Sequence, residues 1–385
     1  MKGIRLAVAC VLALGLLPPR AGAATLAEAG KSAVLMDVTT GTVLYEHNSH
    51  EALAPASVTK VMTMLLIMEA VDSGKIALTD TVTASEAAAA KGGSQIYLKA
   101  GETMSVSDML KSIAVSSAND CACAMAEHIS GSESAFVEAM NQRAKELGMQ
   151  DTHFVNCTGL DDDDTAKLHR TSAYDIALMS RELLKNHPDI KKYTTIWMDT
   201  VRNGAFGLSN TNKLIRFYPG ATGLKTGYTS NAGYCLSASA QKEGMELIAV
   251  VMGAKTSQAR NAACKELLDY GFANFAVVAP ELEELPQVAV RLGKQAQVPA
   301  RMEESAGMLI EKSQRSGITT EISLEESVAA PVTRGQTLGS LSVKSGAQTL
   351  RQIPLVAAAD VEKLTTGDIF LAVLRRAAMA KETRE

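Results

Sequence analysis

The spacing of apolar and polar residues changes along the sequence, and these changes divide it into segments with different predicted secondary structure. Residues 32–47 form two short alternating runs around Thr39-Thr40-Gly41, which predicts a β-hairpin. Residues 57–71 are mostly apolar, interrupted by Thr59, Lys60, Thr63 and Glu69, which predicts a helix buried on most sides. Apolar positions with helical spacing then predict a helical subregion, with helices at residues 107–115, 120–129, 132–147 and 172–184.

Strand patterns return in the second half of the chain. Three runs are predicted to extend the sheet of the first hairpin, at residues 223–228, 233–239 and 246–252. An amphipathic helix at residues 257–270 is predicted to end at Gly271. Short alternating stretches then predict a small all-β region, at residues 287–291, 319–323 and 339–343.

The N-terminal segment reads as a targeting signal. Lys2 and Arg5 precede an apolar run at residues 6–17, and the small residues Ala21-Gly22-Ala23 follow it. This arrangement predicts a secretory signal peptide, whose apolar run is too short to span a bilayer comfortably. We therefore expect an exported protein made of a signal peptide, a first domain, a β domain and a C-terminal tail, at residues 1–23, 24–275, 276–360 and 361–385.

Composition narrows the class of protein. The 385 residues are 46% hydrophobic and 21% charged, which is typical of a folded globular chain with two domains. The 38 basic and 42 acidic residues give a net charge of -4, so the basic surface needed for nucleic-acid binding is missing. The Cys121-Ala122-Cys123 spacing is a poor metal clip on a helix. We expect neither a metal nor a cofactor.

The first chemical motif is Ser57-Val58-Thr59-Lys60, at the start of the buried helix. Residues three apart on a helix share a face, so the Ser57 hydroxyl and the Lys60 amine can form a hydrogen bond. A serine needs a neighbouring base to become a strong nucleophile, and burial lowers the pKa of a lysine toward that role. Alone the spacing is weak evidence, because it occurs about once or twice by chance in a chain of this size.

Two more motifs follow along the chain. Ser117-Ala118-Asn119 precedes a helix, and taken alone it favours an N-cap. Lys225-Thr226-Gly227 lies on a strand, where a cation, a hydroxyl and a residue without a side chain suit a carboxylate ligand. The alternative for this third motif is a polar sheet edge.

Together the three motifs resemble the set found in penicillin-binding proteins and serine β-lactamases, in the same chain order. The resemblance is strongest to the low-molecular-mass D-alanyl-D-alanine carboxypeptidases of the penicillin-binding-protein-5 and DacF type. It rests on the segments at residues 54–60, 117–120, 152–156 with 159–160, 171–175 and 223–229. The fold it implies is α+β: a β-lactamase/transpeptidase-like domain, with an antiparallel sheet and helices, followed by a small all-β domain.

The resemblance implies a catalytic role for four residues. Ser57 would attack the carbonyl between two D-alanines and form an acyl-enzyme, with Lys60 as the general base. Ser117 would relay a proton toward the leaving amine, and Asn119 would hold Lys60 and the substrate amide. Ala118 departs from the glycine that is common at this position in the family, and we expect no consequence from it.

It also implies a binding role for Lys225, Thr226, Gly227 and Tyr228. Lys225 and Thr226 would bind the terminal carboxylate, and the backbone N–H groups of Ser57 and Tyr228 would form the oxyanion hole. The expected partners are peptidoglycan stem peptides that end in D-Ala-D-Ala, with β-lactam antibiotics as covalent inhibitors.

Two other functions stay open at this stage. A class A β-lactamase needs a glutamate that activates the deacylating water, and Glu182 with Asn186 has a similar spacing. However, Glu182 falls inside the predicted helix at residues 172–184 and reads as a surface residue. A non-catalytic receptor for D-Ala termini would need neither the nucleophile Ser57 nor the base Lys60.

The C-terminal segment predicts a short amphipathic helix. Its apolar positions fall on one arc, opposite Arg375 and Arg376, and they are Ile369, Phe370, Leu371, Val373, Leu374 and Ala377. Such a helix is too short to cross a bilayer and suits the membrane interface. We expect peripheral attachment to the outer face of the cytoplasmic membrane; docking on the β domain is the alternative.

Overall fold

The computed structural model describes residues 26–161, 164–278, 286–303, 307–371 and 373–374. The predicted signal peptide at residues 1–23 lies outside the described residues, as do Arg375, Arg376 and Ala377 of the C-terminal segment.

The strands of the first part of the chain include the predicted hairpin and the three later runs. In chain order they are β1 (Ser32–Asp37), β2 (Val43–His47), β3 (Thr81–Thr83), β4 (Thr103–Ser105), β5 (Met198–Val201), β6 (Phe206–Ser209), β7 (Ala221–Thr229), β8 (Gly233–Lys242), β9 (Met245–Ala254) and β10 (Phe275–Val278). The central antiparallel sheet has the order β2-β1-β9-β8-β7, so the later strands extend the first hairpin as the sequence predicted.

The helices occupy both faces of this sheet. In chain order they are α1 (Lys60–Asp72), α2 (Glu86–Ala89), α3 (Val106–Ser116), α4 (Asn119–Ser130), α5 (Glu133–Glu146), α6 (Ala173–Asn186), α7 (Lys191–Thr194), α8 (Leu214–Phe217) and α9 (Ser257–Asn274). Side chains alternate along buried β1: Val34 and Met36 join the core that contains α1, whereas Ala33 and Leu35 join the core under α9.

The predicted end of the last helix at Gly271 is wrong, because α9 continues to Asn274. A Cβ at position 271 would lie 2.4 Å from Leu247 Cδ1 and 3.0 Å from Leu35 Cδ2. Glycine therefore lets the helix approach the sheet closely, and it does not act as a C-terminal cap. A sequence pattern alone does not distinguish these two uses of glycine.

The second part of the chain is a small all-β domain, as predicted. Its strands are β11 (Gln287–Arg291), β12 (Gln297–Met302), β13 (Met308–Glu311), β14 (Ile318–Leu324), β15 (Ser327–Ala329), β16 (Thr337–Ser345) and β17 (Gln348–Ala357). The main sheet has the order β14-β16-β17-β12-β11-β15 and covers its own apolar core. The α+β fold class inferred from the motifs is confirmed.

A two-stranded ribbon joins the two parts. Strand β10 pairs with β13 in antiparallel register. Phe275 and Val277 of β10 pack on the core of the first part, whereas Ala276 and Val278 pack on the core of the second. The predicted boundary between residues 275 and 276 stays a prediction, since side chains on either side of it serve both cores.

The C-terminal helix is described at residues 366–371 and 373–374, and its apolar side chains there are exposed, from 42% for Ile369 to 64% for Phe370. Across the part of the chain that the structure describes, every helix is too short or too polar to cross a membrane.

Candidate active site

Ser57 and Lys60 meet at the junction of two helical geometries. Residues Ala56–Thr59 form a 3₁₀ turn, and α1 starts at Lys60. Side chains at i and i+3 eclipse in a 3₁₀ turn, which brings this pair together more directly than the predicted α-helix would. The Lys60 Nζ donates to Ser57 Oγ at 3.0 Å and to the Thr158 carbonyl oxygen at 2.7 Å.

The environment of Lys60 changes its acid–base behaviour. Its side chain is fully buried, and burial disfavours the charged ammonium. This burial lowers the pKa of Lys60 from 10.5 to about 7, against a smaller opposing effect of Cys157 and Asp120. An amine with such a pKa, in contact with a serine hydroxyl, can act as a general base at neutral pH.

The backbone around the nucleophile is unusual. Ala56 adopts a φ of 48°, which is rare for a residue with a side chain. Its carbonyl faces Gly159, where a Cβ would lie only 1.9 Å from the Ala56 oxygen. Only glycine fits at position 159, and the close approach brings Thr158 and its carbonyl to Lys60.

Ser117 and Asn119 do not cap α4, so the interpretation that this motif favoured on its own is wrong. The N-cap is Ala118, which makes no side-chain capping bond, and Ser117 sits in the left-handed region with φ 63° and ψ 30°. Ser117 Oγ and Asn119 Oδ1 are buried, and neither has a hydrogen-bond partner among the described residues. Unpaired buried groups on strained backbone are typical of functional sites.

The amide of Asn119 points to a neighbouring loop. Its Nδ2 donates to the Gly92 carbonyl oxygen at 2.7 Å, whereas the amine of Lys60 donates to Ser57 and Thr158. The hydrogen bond expected between Asn119 and Lys60 is therefore not formed in this structure. The adjacent Asp120 holds the same loop, because its carboxylate accepts the backbone N–H groups of Ile96 at 3.1 Å and Leu98 at 3.0 Å. The start of α4 thus fixes the loop beside the motif.

The third motif lies on β7, which is an edge strand of the central sheet among the described residues. A Cβ at Gly227 would lie 2.7 Å from the Pro55 carbonyl oxygen and 3.1 Å from the backbone nitrogen of Ser57. Glycine therefore lets the edge strand run directly beside the nucleophile. The Tyr228 ring is 56% exposed and stacks on Tyr234, with 4.3 Å between ring centroids.

Lys225 is buried, and its Nζ donates to the carbonyl oxygen of Thr226 at 3.0 Å. Burial lowers the pKa of Lys225 well below its usual value, and the positive charges of Lys60 and Arg260 lower it further. The hydroxyl of Thr226 donates to Thr211 Oγ1 at 2.6 Å. The site therefore contains two buried amines, Lys60 and Lys225, and no acid among these contacts.

Several residues of the site had no sequence signal. Thr158 contributes a backbone carbonyl, which no side-chain pattern reveals. Thr211, from the segment after β6, contacts Thr226 directly at 2.6 Å, and His169 contacts Thr59 at 2.8 Å behind the nucleophile. Only Gly159, with its φ of 80°, stood in a segment that carried the family resemblance.

Glu182 belongs to a different cluster. Its carboxylate accepts from Arg143 at 2.6 Å and from Asn186 at 2.9 Å, and Arg143 also bonds Glu69 at 2.7 Å. Glu69, Glu182 and His187 are the only described side chains that converge as a possible metal site. The guanidinium of Arg143 binds both carboxylates and so supplies the positive charge that a metal ion would otherwise provide. Glu182 therefore has a structural role in this cluster; it lies on α6 as predicted, but its side chain is only 21% exposed, so it is not the plain surface residue that the sequence indicated.

Comparison with known proteins agrees with this geometry. The family described as D-alanyl-D-alanine carboxypeptidase matches residues 20–256, and the family described as penicillin-binding protein 5, C-terminal domain, matches residues 282–363. The D-alanyl-D-alanine carboxypeptidase DacF of Bacillus subtilis is 47% identical over 344 residues, which cover 88% of this chain and 87% of that protein. DacC of Escherichia coli is 34% identical, with 86% and 84% covered.

Solved structures give the same picture. Penicillin-binding protein 5 from Haemophilus influenzae superposes with a TM-score of 0.75 at 31% identity, covering 91% of this chain and all of that one. Penicillin-binding protein D2 from Listeria monocytogenes, in its ampicillin-bound form, superposes with a TM-score of 0.58 at 32% identity, covering 63% and 98%. From the matched families and the relatives that span most of its length, the chain belongs to the D-alanyl-D-alanine carboxypeptidases, the low-molecular-mass penicillin-binding proteins.

Proposed function

We propose that this protein removes the terminal D-alanine from peptidoglycan stem peptides that end in D-Ala-D-Ala, through an acyl-enzyme on Ser57. The observation that carries the proposal is the 3.0 Å contact between Ser57 Oγ and the buried amine of Lys60, whose pKa is lowered to about 7. A free serine lacks the nucleophilicity for this attack, and the neighbouring neutral amine supplies it.

The chemistry can be written with the groups in contact. Lys60 takes the proton of Ser57 as Oγ attacks the carbonyl carbon between the two D-alanines. The backbone N–H groups of Ser57 and Tyr228 would stabilise the oxyanion, and Ser117 would pass a proton to the departing amine of the terminal D-alanine. Water then attacks the ester carbonyl carbon and gives one proton to Ser57 Oγ, which restores the serine hydroxyl and releases the shortened stem as a carboxylic acid.

Substrate binding would use the edge of β7. A stem peptide in extended conformation can pair with an exposed strand edge, which brings its scissile bond to Ser57. Lys225 and Thr226 would receive the terminal carboxylate, beside Gly227 and with Asn119 holding the substrate amide. A carboxylate arriving at Lys225 supplies the opposite charge that this buried amine lacks, and so favours its protonated form. The same nucleophile would open a β-lactam ring and retain it as a stable ester.

The experiment that tests this function compares two reactions of the purified protein. We expect release of free D-alanine from a synthetic pentapeptide, together with hydrolysis of nitrocefin that stops after about one turnover. The reason is that the site has a nucleophile and a base for acylation, while Glu182 is held by Arg143. Sustained nitrocefin hydrolysis without D-alanine release would indicate a β-lactamase, and binding without release would indicate a receptor.

We further propose that the protein is exported and held at the outer face of the cytoplasmic membrane by its C-terminal helix. The exposed apolar side chains of this helix support the proposal, because docking on the β domain would bury them. Phe370 is 64% exposed, Leu371 55% and Val373 61%. A short helix with such a face suits the membrane interface, where apolar burial provides the binding free energy.

Removing residues 366–385 is expected to release the protein from membrane fractions and to leave its rate on soluble pentapeptide unchanged. Because apolar burial provides the binding, a high-salt wash of the full chain should not release it. A matched full-length variant, Phe370→Asp with Leu374→Asp, should behave like the truncated chain. Sedimentation with vesicles measures this. A truncated protein that still pellets with membranes, or that unfolds, would support docking instead.

A further inference from the structure

A chain of buried hydrogen bonds lies behind the nucleophile. His169 is only 4% exposed, and it precedes α6 on a segment that bridges to His153. Its Nδ1 accepts the backbone N–H of Val155 at 3.2 Å, and its Nε2 lies 2.8 Å from Thr59 Oγ1. Because Nδ1 is an acceptor, the single proton of the neutral ring is on Nε2, which therefore donates to Thr59.

Thr59 links His169 to the 3₁₀ turn that contains Ser57. Its hydroxyl accepts from His169 and donates its own proton to the Ala56 carbonyl oxygen at 2.8 Å. Ala56 has a left-handed backbone and directly precedes Ser57, so the orientation of the peptide between them determines the position of the Ser57 backbone. Gly159 packs over the same atoms, since a Cβ there would lie 2.7 Å from Thr59 Oγ1. Each donor and acceptor along the chain has a defined direction.

The imidazole must be neutral for this arrangement to exist. A protonated ring would carry hydrogens on both nitrogens and would clash with the Val155 N–H. Burial lowers the pKa of His169 to about 4, and the positive charges of His153 and Lys60 act in the same direction. The rings of Phe154 and His169 pack edge to face, with 5.6 Å between their centroids. The site thus keeps this histidine uncharged across the neutral range.

We propose that His169 is a positioning residue for the nucleophile: through Thr59 it fixes the Ala56 peptide and keeps Ser57 Oγ within reach of Lys60. His169 itself does not touch the reacting atoms, and the proposal rests on the assignment of Ser57 as nucleophile. It also gives the third residue of the Ser57-Val58-Thr59-Lys60 motif a specific task, which a buried β-branched residue of the same shape could not perform.

The test compares Thr59→Val, which keeps the shape and removes the hydroxyl, with Thr59→Ser, which keeps the hydroxyl. Labelling by a fluorescent penicillin is resolved into the dissociation constant of the initial complex and the rate constant of acylation. We expect Thr59→Val to slow acylation about tenfold, the scale of one lost hydrogen bond, with an unchanged dissociation constant. Thr59→Ser should stay within about twofold of wild type for the same reason.

Variants of His169 test the other end of the hydrogen-bond chain. They also provide the test if the Thr59→Val protein does not fold. The glutamine amide offers one donor and one acceptor without titrating, so His169→Gln should acylate faster than His169→Leu. The double variant His169→Leu with Thr59→Val should acylate no more slowly than the slower of the two single variants, because both substitutions break the same hydrogen-bond chain. His153→Gln is the matched control, since this exposed histidine adjoins the chain without belonging to it.

The proposal is overturned if Thr59→Val acylates at the wild-type rate, if Thr59→Ser is as slow as Thr59→Val, or if the losses appear in the dissociation constant. It is also overturned if His169→Gln and His169→Leu acylate equally. A failure of the underlying function looks different: Ser57→Ala would then still be labelled, whatever the variants of Thr59 and His169 do.

Discussion

Replacing Ser57 with alanine is expected to abolish both D-alanine release and covalent labelling by a fluorescent penicillin. Ser57 Oγ is the hydroxyl that Lys60 contacts, and the strained lactam amide presents the same kind of carbonyl carbon as the peptide. Neither substrate can form an ester without this oxygen. D-alanine release from a pentapeptide and fluorescence of the denatured protein on a gel measure the two losses.

A suitable control is Ser73→Ala at the other end of α1. Its hydroxyl only donates to the Ala70 carbonyl oxygen, so this change should leave labelling intact. The thermal midpoint of Ser57→Ala should remain close to that of wild type, because Ser57 is only partly buried and loses one hydrogen bond. Labelling of Ser57→Ala at a substantial rate would place the nucleophile elsewhere.

Replacing Lys60 with methionine, which has a similar length and no charge, is expected to slow acylation by at least about 10²-fold, the usual contribution of a general base. The pH dependence should change as well. Only the neutral amine can accept the Ser57 proton, so wild-type acylation should rise with pH through about 7 and level off above it. The variant should lack this rise.

Lys60→Arg is the companion variant, because a guanidinium retains its proton at all accessible pH values. It should be as slow as Lys60→Met if the base function matters, and faster if only a positive charge is needed. Labelling rates between about pH 5.5 and 9 distinguish these cases. A rise through neutral pH that persists in Lys60→Met would assign the titration to another group.

The sequence was most informative where function and periodicity coincide. Residues Ser57 and Lys60 stand three apart at the start of an apolar run, and this spacing on a predicted helix indicated that their side chains can meet, although only the three motifs together indicated their chemistry. The pattern could not show that the contact between Ser57 and Lys60 occurs in a 3₁₀ turn. Nor could it show that Ser117 adopts a left-handed backbone, since Ser117, Asn119 and Asp120 are all good helix caps by residue type. Both depend on how distant segments pack.

Other parts of the site lie beyond any local pattern. The carbonyl of Thr158 has no side-chain signature, and His169 comes close to Thr59 only because residues 153 and 170 form a bridge. Gly271 was misread as a helix end because the reason for glycine there is Leu247, which lies on β9, many residues earlier, on the face that α9 packs against. These features depend on contacts between segments that are distant in the sequence, and a local sequence pattern does not contain that information.

The ribbon of β10 and β13 has a consequence for the reach of the enzyme. Its two faces belong to two cores, so the catalytic cleft cannot swivel freely about the β domain as it could on a plain linker. Under the proposed attachment of the C-terminal helix to the membrane, the β domain would hold the active site at a fixed distance from the membrane surface and in a fixed orientation. Stems within that layer would be trimmed, and those outside it would be spared.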